Sequence, residues 1–567
     1  MPSPCLADGT LVQVEVRTVG GRQAASVVGA PLARANSPQA EVYAIAARHG
    51  LDSTFSAAVK SEVAEILRNP GIDDPKLKDL TKLPFVTIDN DDSKDLDQAM
   101  YISRRQDGGC DIYYALADAS YYVRPGTALF AEALHRSSSY YLPGLCVPML
   151  PKELSEGIVS LNEGVNRRAL VFKMSLDKQG NVLGTTLERA RIKSAKQLSF
   201  NNVQGYYDNP ATSLLTGHPY TETLDLLAEV GKLRIAEAKK RDVINYQRTE
   251  VKVELSGGGT RFSLLGDNRN DVEKYNEQVS LLCNVEGARF LMGKDGKNLT
   301  LRNLQGIFRV HPPPPAERLD ALKALIDGIV SRHKLDPKVW SWRRDKGESL
   351  ADYLDGLPEV GTNVRFARVI ERQAMISNMP AQFEEQPGVH YGIGAPAYAR
   401  FSSPMREMVG IFTHKEALEL LEGHGDEAPS ANDAALRDQI VCGGNAAKAT
   451  EGAITREANK IAIDALFADD ARQPAGARPL RRGTIMGITP TKVYVQLDDP
   501  PIEVKLYPRD LKDKVGLDFR FDNSGLFMTA GVGRELELGG QVDLRVVSYD
   551  DRTQHWILEP IFRSGPV

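Results

Sequence analysis

Five aspartates and a single lysine crowd positions 89 to 97, in the stretch Thr87-Ile88-Asp89-Asn90-Asp91-Asp92-Ser93-Lys94-Asp95-Leu96-Asp97-Gln98-Ala99. The apolar segment Phe85 to Ile88 runs straight into this cluster, and Leu96, Ala99 and Met100 lie within and after it. Those apolar residues tie the bend to a core, where an unpaired carboxylate is expensive. Any fold of this chain must therefore bring compensating charge to that one place. An EF-hand loop needs glycine at its sixth position and glutamate at its twelfth, and counting from Asp89 these are Lys94 and Met100, so that type of calcium site is excluded. Two readings remain open: a solvated acidic turn, and a magnesium or manganese site in which carboxylate oxygens share the ion with water and phosphate. In the second, Asp95 and Asp97 point to one side of an extended segment while Leu96 points into the core.

The strand pattern around the cluster, Phe85 to Ile88, Gln98 to Ser103 and Asp111 to Ala117, opens a long mixed region that runs to about Phe467. Helical periodicity within it predicts helices over Glu222 to Lys240, Asp271 to Met292 and Glu317 to His333. Before it, Leu11 to Val19 and Ala24 to Val28 read as a hairpin turning at Gly20-Gly21. Two helical patterns follow Ser37-Pro38, at Glu41 to His49 and Phe55 to Leu67. That pair permits a helix-turn-helix, although two helices packing a small module on the main body is the plainer reading. The tract Glu422 to Asp433 has loop composition and Gln473 to Pro479 that of a linker. Beyond it, closely spaced strands (Arg482 to Ile488, Lys492 to Leu497, Glu503 to Leu506, Gln541 to Val547, His555 to Leu558) predict a small β-barrel. The expectation is an α+β chain in three parts: 1–80, a hairpin plus helix pair; 81–470, a large mixed α/β domain; and 478–563, the barrel.

The 567 residues, 42% apolar and 26% charged, suffice for several cores and exclude disorder as the main state. No apolar run reaches the length of a membrane span, and the first thirty residues lack a basic start followed by an apolar stretch, so neither membrane insertion nor secretion is expected. Cys5, Cys110, Cys146, Cys283 and Cys442 are odd in number and never spaced C-x-x-C, which fits a reducing cytoplasm. The net charge of -5 rules out a polycation, yet a basic groove inside an acidic exterior can still hold nucleic acid.

The acidic stretch resembles the signature of the ribonuclease II (RNB) family of 3′-to-5′ exoribonucleases. The likeness continues through Ala115-Leu116-Ala117-Asp118-Ala119-Ser120, Val123-Arg124-Pro125-Gly126, Tyr141-Leu142-Pro143-Gly144, Pro148-Met149-Leu150-Pro151, Ser160-Leu161-Asn162, the helix with Glu277 and Asn284, and Arg309-Val310-His311. Their order and spacing carry the resemblance over roughly residues 82 to 467. It implies a magnesium-dependent exoribonuclease, with one or two ions and manganese as a possible substitute, that threads single-stranded RNA into a channel and releases nucleoside 5′-monophosphates. It implies Asp89, Asp95, Asp97 and Gln98 as the metal-binding positions, Gln98 standing where the usual pattern has a fourth aspartate. It makes Asp95 and Asp97 catalytic, Arg406 in Ser403-Pro404-Met405-Arg406 the phosphate clamp, and Glu457 in Thr455-Arg456-Glu457-Ala458 a functional glutamate. Tyr141, Phe200 and Tyr246 fall at positions that stack on bases, and the run Arg189, Arg191, Lys193, Lys196 is a candidate groove wall. The C-terminal barrel resembles an OB-type RNA-binding domain, with Lys492, Tyr494 and Lys505 as candidate contacts. A monomer with RNA as its partner and no membrane is expected. The alternative readings are an RNA-binding protein whose catalysis has faded, since Gln98 and the unusual Glu407-Met408-Val409-Gly410 both touch the site, and a DNA-binding regulator using the first helix pair.

Overall fold

In the computed structural model, residues 8–19, 22–244, 250–267, 269–301, 304–424 and 433–562 are described. The turn of the first hairpin, Tyr246 and most of the loop after Glu422 lie outside them. β1 (Leu11–Val19) pairs antiparallel with β2 (Arg22–Ala33), and α1 (Pro38–Arg48) and α2 (Ala57–Arg68) follow. Ser37 starts α1 because its hydroxyl accepts from the Ala40 amide at 3.2 Å, and Ser56 starts α2 in the same way at Val59.

The strands expected around the aspartate cluster are β3 (Phe85–Asp89), β4 (Gln98–Arg104) and β5 (Cys110–Ala117). After α3 (Ala128–Arg136) and the small hairpin β6 (Tyr140–Leu142) and β7 (Leu145–Val147) come β8 (Asn166–Leu176) and the long β9 (Val182–Ser199). The pairing runs β9-β3-β4-β5-β8 and returns from β8 to β9, so five strands close into a barrel. Closure depends on the length of β9: up to Lys193 it pairs antiparallel with β8, and from Ser194 it pairs parallel with β3, with a register shift between Ser194 and Lys196. Asp89, the last residue of β3, lies opposite Ser199, the last of β9.

One side of this sheet packs under α4 (Phe200–Asp208), α5 (Thr221–Lys240) and α6 (Asp271–Met292), with Tyr114, Phe172, Leu224 and Val279 completely buried. α6 has the bounds its signals predict. Asn270 and Glu273 form a reciprocal capping box at its start and Gly293 ends it. The other side packs on α7 (Met408–Glu422) and α8 (Asp433–Ala471) through Leu96, Leu129, Phe412 and Ile440.

At the C-terminus β10 (Arg481–Thr489), β11 (Lys492–Leu497), β12 (Glu503–Leu506), β13 (Gln541–Asp550) and β14 (His555–Ile561) form a sheet in the order β12-β11-β10-β13-β14, the OB-type region expected there. The helices Ala316–Arg332 and Val364–Ser377 share its core rather than the barrel's: Ile326, Phe366, Val369 and Ile370 pack with Ile485, Val495 and Leu544. Each such side chain contributes about 1.5–3 kcal/mol on burial, so this contact is a firm joint. Among the described residues no helix is long and apolar enough to cross a membrane.

Candidate active site

The acidic loop spans the mouth of the barrel and is riveted there by backbone. Ser160 Oγ accepts from the Leu96 amide at 2.9 Å and donates to the Lys94 carbonyl at 2.7 Å, and the Leu161 amide donates to the Leu96 carbonyl at 3.0 Å. Leu96 is buried, as the alternation predicts, and drives its neighbours toward the opposite side. Asp97 is 1% exposed. Its Oδ1 accepts from the Met405 amide at 3.0 Å and its Oδ2 from Arg406 Nε at 2.6 Å.

The turn bearing Arg406 is built from a different part of the chain. Asn284 on α6, fully buried, accepts from the amides of Phe401 and Ser402 and donates to Tyr398 and Ser402 hydroxyls, so all its hydrogen-bonding capacity shapes this turn. Ser403 then adopts φ +62°, a left-handed conformation that costs a non-glycine residue about 1–3 kcal/mol. It is held there because its hydroxyl accepts from Arg406 Nη2 at 3.0 Å and its carbonyl from the amides of Arg406 and Glu407.

Asp95 accepts from the Tyr141 hydroxyl at 3.2 Å. Burial raises the pKa values of Asp95 and Asp97 above the ordinary carboxylate range, against the opposing pull of Arg406 on both; Asp89 reinforces the rise at Asp95, and Asp95 that at Asp97. One guanidinium thus serves a half-buried and a fully buried carboxylate, which leaves the loop short of positive charge. That deficit fits a hard divalent cation. Among the described residues no group of three or more His, Cys, Asp or Glu side chains is gathered closely enough to hold a metal by itself. Any ion here therefore needs oxygens from water or a ligand, as magnesium ordinarily does. Gln98 is placed differently from its three companions: its side-chain carbonyl accepts from the buried Tyr114 hydroxyl, so that oxygen is already engaged.

Beside Arg406 opens a cavity of about 320 Å³ lined by Tyr140, Tyr141, Arg400, Glu407, Lys448 and Glu451, among others. Burial would push Glu407 up, but Arg400 at 3.1 Å and Lys448 at 3.0 Å outweigh it and hold its carboxyl at about 2. Glu451 accepts from Ser138 Oγ and Lys448 Nζ, both at 3.0 Å. Glu451 is the α8 glutamate that lines the cavity, and sequence reasoning did not single it out. Glu457, expected at the catalytic centre, instead binds Arg48 Nη2 at 2.6 Å and His49 Nε2 at 2.8 Å on α1, because the helix turns its side chain away from the cavity.

The remaining candidates separate. Phe200 opens α4, half-buried against the barrel core. The basic run is largely neutralised: Arg189 pairs with Asp118, Arg191 with Asp73 and Asp79, and Lys196 with Glu163. Only Lys193 of that run keeps the character of an open groove wall. In the C-terminal sheet, Tyr494 lies under the Arg372 guanidinium at 4.9 Å, packed on the helix Val364–Ser377.

A closed five-stranded barrel with an aspartate loop and an arginine turn at its mouth, flanked by helices and followed by an OB-type sheet, defines the catalytic fold of RNB-type proteins. The chain belongs to that family: residues 77–422 match the RNB domain. It is 27% identical over 508 residues to Ribonuclease R of Escherichia coli (strain K12), a match that covers 88% of this chain and 58% of that protein. The chain thus spans under three fifths of the length of that relative. In fold it is similar to Mycoplasma genitalium RNase R in complex with ribose methylated single-stranded RNA, at a TM-score of 0.79 and 22% identity, covering 99% of this chain and 84% of that one. It is also similar to yeast Ssd1, a pseudonuclease, at a TM-score of 0.60 and 15% identity, covering 91% of this chain and 61% of that one.

Proposed function

We propose that this chain is a hydrolytic 3′-to-5′ exoribonuclease that takes single-stranded RNA and releases nucleoside 5′-monophosphates. The observation that carries the reading is that Arg406 and Tyr141, which line a cavity of about 320 Å³, are hydrogen-bonded to Asp97 and Asp95 respectively; that volume is the lower end of the size range of small-ligand sites.

Asp89, Asp95 and Asp97 are the residues that would hold magnesium. Bound there, the ion supplies charge neutralisation at phosphorus and a more acidic attacking water. The chain's own side chains do the positioning. Arg406 spends Nε on Asp97 and one Nη2 hydrogen on Ser403, which aims its remaining donors at phosphate oxygens. Tyr141, more than half exposed, offers its ring to a base while its hydroxyl is held by Asp95. The C-terminal sheet adds a second hold on the strand, the basis for processive action.

A second reading, RNA binding with weakened catalysis, is favoured by Gln98, an uncharged group whose carbonyl is engaged by Tyr114. One digest separates the two. 5′-labelled single-stranded RNA with magnesium should give a shortening ladder and mononucleotides, single-stranded DNA should persist beside it, and EDTA should stop the reaction. RNA retained at full length in a stable complex would establish the second reading and reject the first.

A further inference from the structure

The cavity shares its wall with the N-terminal helix. Tyr140 and Ile454 line the cavity, and the same two side chains belong to a small apolar cluster with Val42, Ile45 and Ala46 of α1. The partition between α1 and the cavity is therefore a single side chain thick. Just past this cluster, at the end of α1, Arg48 donates from Nε and Nη2 to Glu457 Oε2 at 3.0 and 2.6 Å, and His49 Nε2 stands 2.8 Å from Oε1. Both oxygens of one carboxylate on α8 are thus gripped by consecutive residues of α1. Glu457 lies about 9 Å along the α8 axis from Glu451, at a rise of about 1.5 Å per residue. The loop leaving α1 is fixed as well: Arg136 Nη2 of α3 donates to the Thr54 carbonyl at 2.6 Å.

We infer that Glu457 is a positioning residue for the proposed reaction, an inference that rests on that reading: its clamp on Arg48 and His49 seats α1 against Tyr140 and Ile454 and so sets where the Tyr141 ring and Glu451 stand. The role follows from what the clamp joins. β6 carries Tyr141 beside Tyr140, and α8 carries Glu451 within one turn of Ile454 and Lys448 within two. α1 covers both elements from outside, so a shift of α1 moves both walls together. As a contribution to stability the pair is minor. Arg48 is 56% exposed, and pairs of that kind contribute about 0–1 kcal/mol. Displacing reacting groups by about 1 Å, in contrast, costs up to about 100-fold in rate. Loss of the clamp should therefore appear in turnover without appearing in melting.

The test uses the full chain with Glu457→Gln, with Arg48→Glu, and with the exchanged pair Arg48→Glu plus Glu457→Arg. Each single variant should lower kcat on single-stranded RNA by about tenfold, with KM for long RNA within about twofold and the melting temperature within about 2 °C; the exchanged pair should recover most of kcat. A second readout needs no turnover. Cys146 stands directly across from Tyr141 in the β6–β7 hairpin and is exposed. With Cys5→Ser and Cys442→Ser removing the competing thiols, the labelling rate of Cys146 should change at least about threefold in the single variants and return in the exchanged pair. Unchanged kcat and labelling in the single variants would overturn the inference, as would a kcat loss that the exchange leaves unrepaired. If the unaltered chain leaves RNA intact, the proposed function fails, and Cys146 labelling alone still decides whether the clamp sets the hairpin.

Discussion

Arg406 donates Nε–H to Asp97 Oδ2 at 2.6 Å, joining residues 309 positions apart in the chain. The bond links the barrel loop to the turn that Asn284 shapes, so neither half of the site has a defined geometry without the other. Asp97 is almost fully shielded from water, while the Arg406 side chain keeps 36% of its surface open. A pair with one end so buried is a weak source of net stability and a strong constraint on geometry. The constraint has a chemical use, because the cation is aimed before substrate arrives and no reorganisation is needed as charge develops.

Asp97→Asn removes the carboxylate charge while keeping an acceptor for the Met405 amide. Hydrolysis should fall by roughly 100- to 1000-fold or more, while affinity for single-stranded RNA stays within about threefold, because the proposed holds at Tyr141 and the C-terminal sheet do not involve this carboxylate. Rate from single-turnover digestion and affinity from filter binding check this. A parallel loss of both would show that Asp97 maintains the fold instead.

In the proposed reaction, Gln98 bears on how tightly magnesium is held. Its engaged, uncharged carbonyl leaves the loop with the carboxylates of Asp89, Asp95 and Asp97 as its ionic donors. Gln98→Asp adds a charge that the Tyr114 hydroxyl can still stabilise. The magnesium concentration for half-maximal rate should drop about tenfold, the scale of 1.4 kcal/mol. Titrating magnesium after chelation of the purified protein measures it, and an unchanged midpoint would mean that this position does not address the ion.

The loop was legible because charge contrast is local: aspartates beside an apolar strand, with Leu96 as the internal anchor, need no partner to be noticed. α6 was legible for a similar reason, its capping box and terminal glycine being sequence neighbours. What escaped depends on contacts distant in the chain. Glu451 and Glu457 share one 39-residue helix, and nothing local says which faces the cavity; α1 decides it. The basic run looked like a groove wall because Asp118, which neutralises Arg189, lies 71 positions away. The hydroxyl engaging Gln98 belongs to a diagonal cross-strand neighbour, since Gln98 pairs with Leu116 and Tyr114 with Met100. The helix Ala316–Arg332 signalled its existence by periodicity, but not that its apolar face meets the C-terminal sheet, and Val364–Ser377, which shares that core, was not singled out.

Tyr141 offers two separable functions, a ring for stacking and a hydroxyl for Asp95. Tyr141→Ala should raise KM for short oligonucleotides by the equivalent of about 1–3 kcal/mol, the contribution of one stacked base. Long RNA, held at more points, should lose less. Tyr141→Phe keeps the ring and should leave KM unchanged while altering kcat through Asp95. Steady-state kinetics on short and long substrates distinguish the two, and equal effects of Ala and Phe would remove stacking from the account.

His414 on α7 makes stability depend on pH. It is fully buried, its Nε2–H donates to the Phe401 carbonyl at 2.8 Å, and burial pulls its pKa from 6.5 to about 4 despite that bond. Between these values the unfolded chain takes up a proton that the folded chain refuses, so the folded state loses ground as pH falls from 6.5 toward 4 and is unaffected above 6.5. At pH 4.5 this one group costs about 2–3 kcal/mol. His414→Gln retains an N–H donor for Phe401 without a titrating ring. The variant should be less stable than the parent at pH 7.5, through imperfect packing, and should close that gap by about 2 kcal/mol at pH 4.5. Urea unfolding at the two pH values measures the difference. A gap that stays constant with pH would place the acid sensitivity elsewhere, with His390, half-buried and held at about 4, as the next residue to replace.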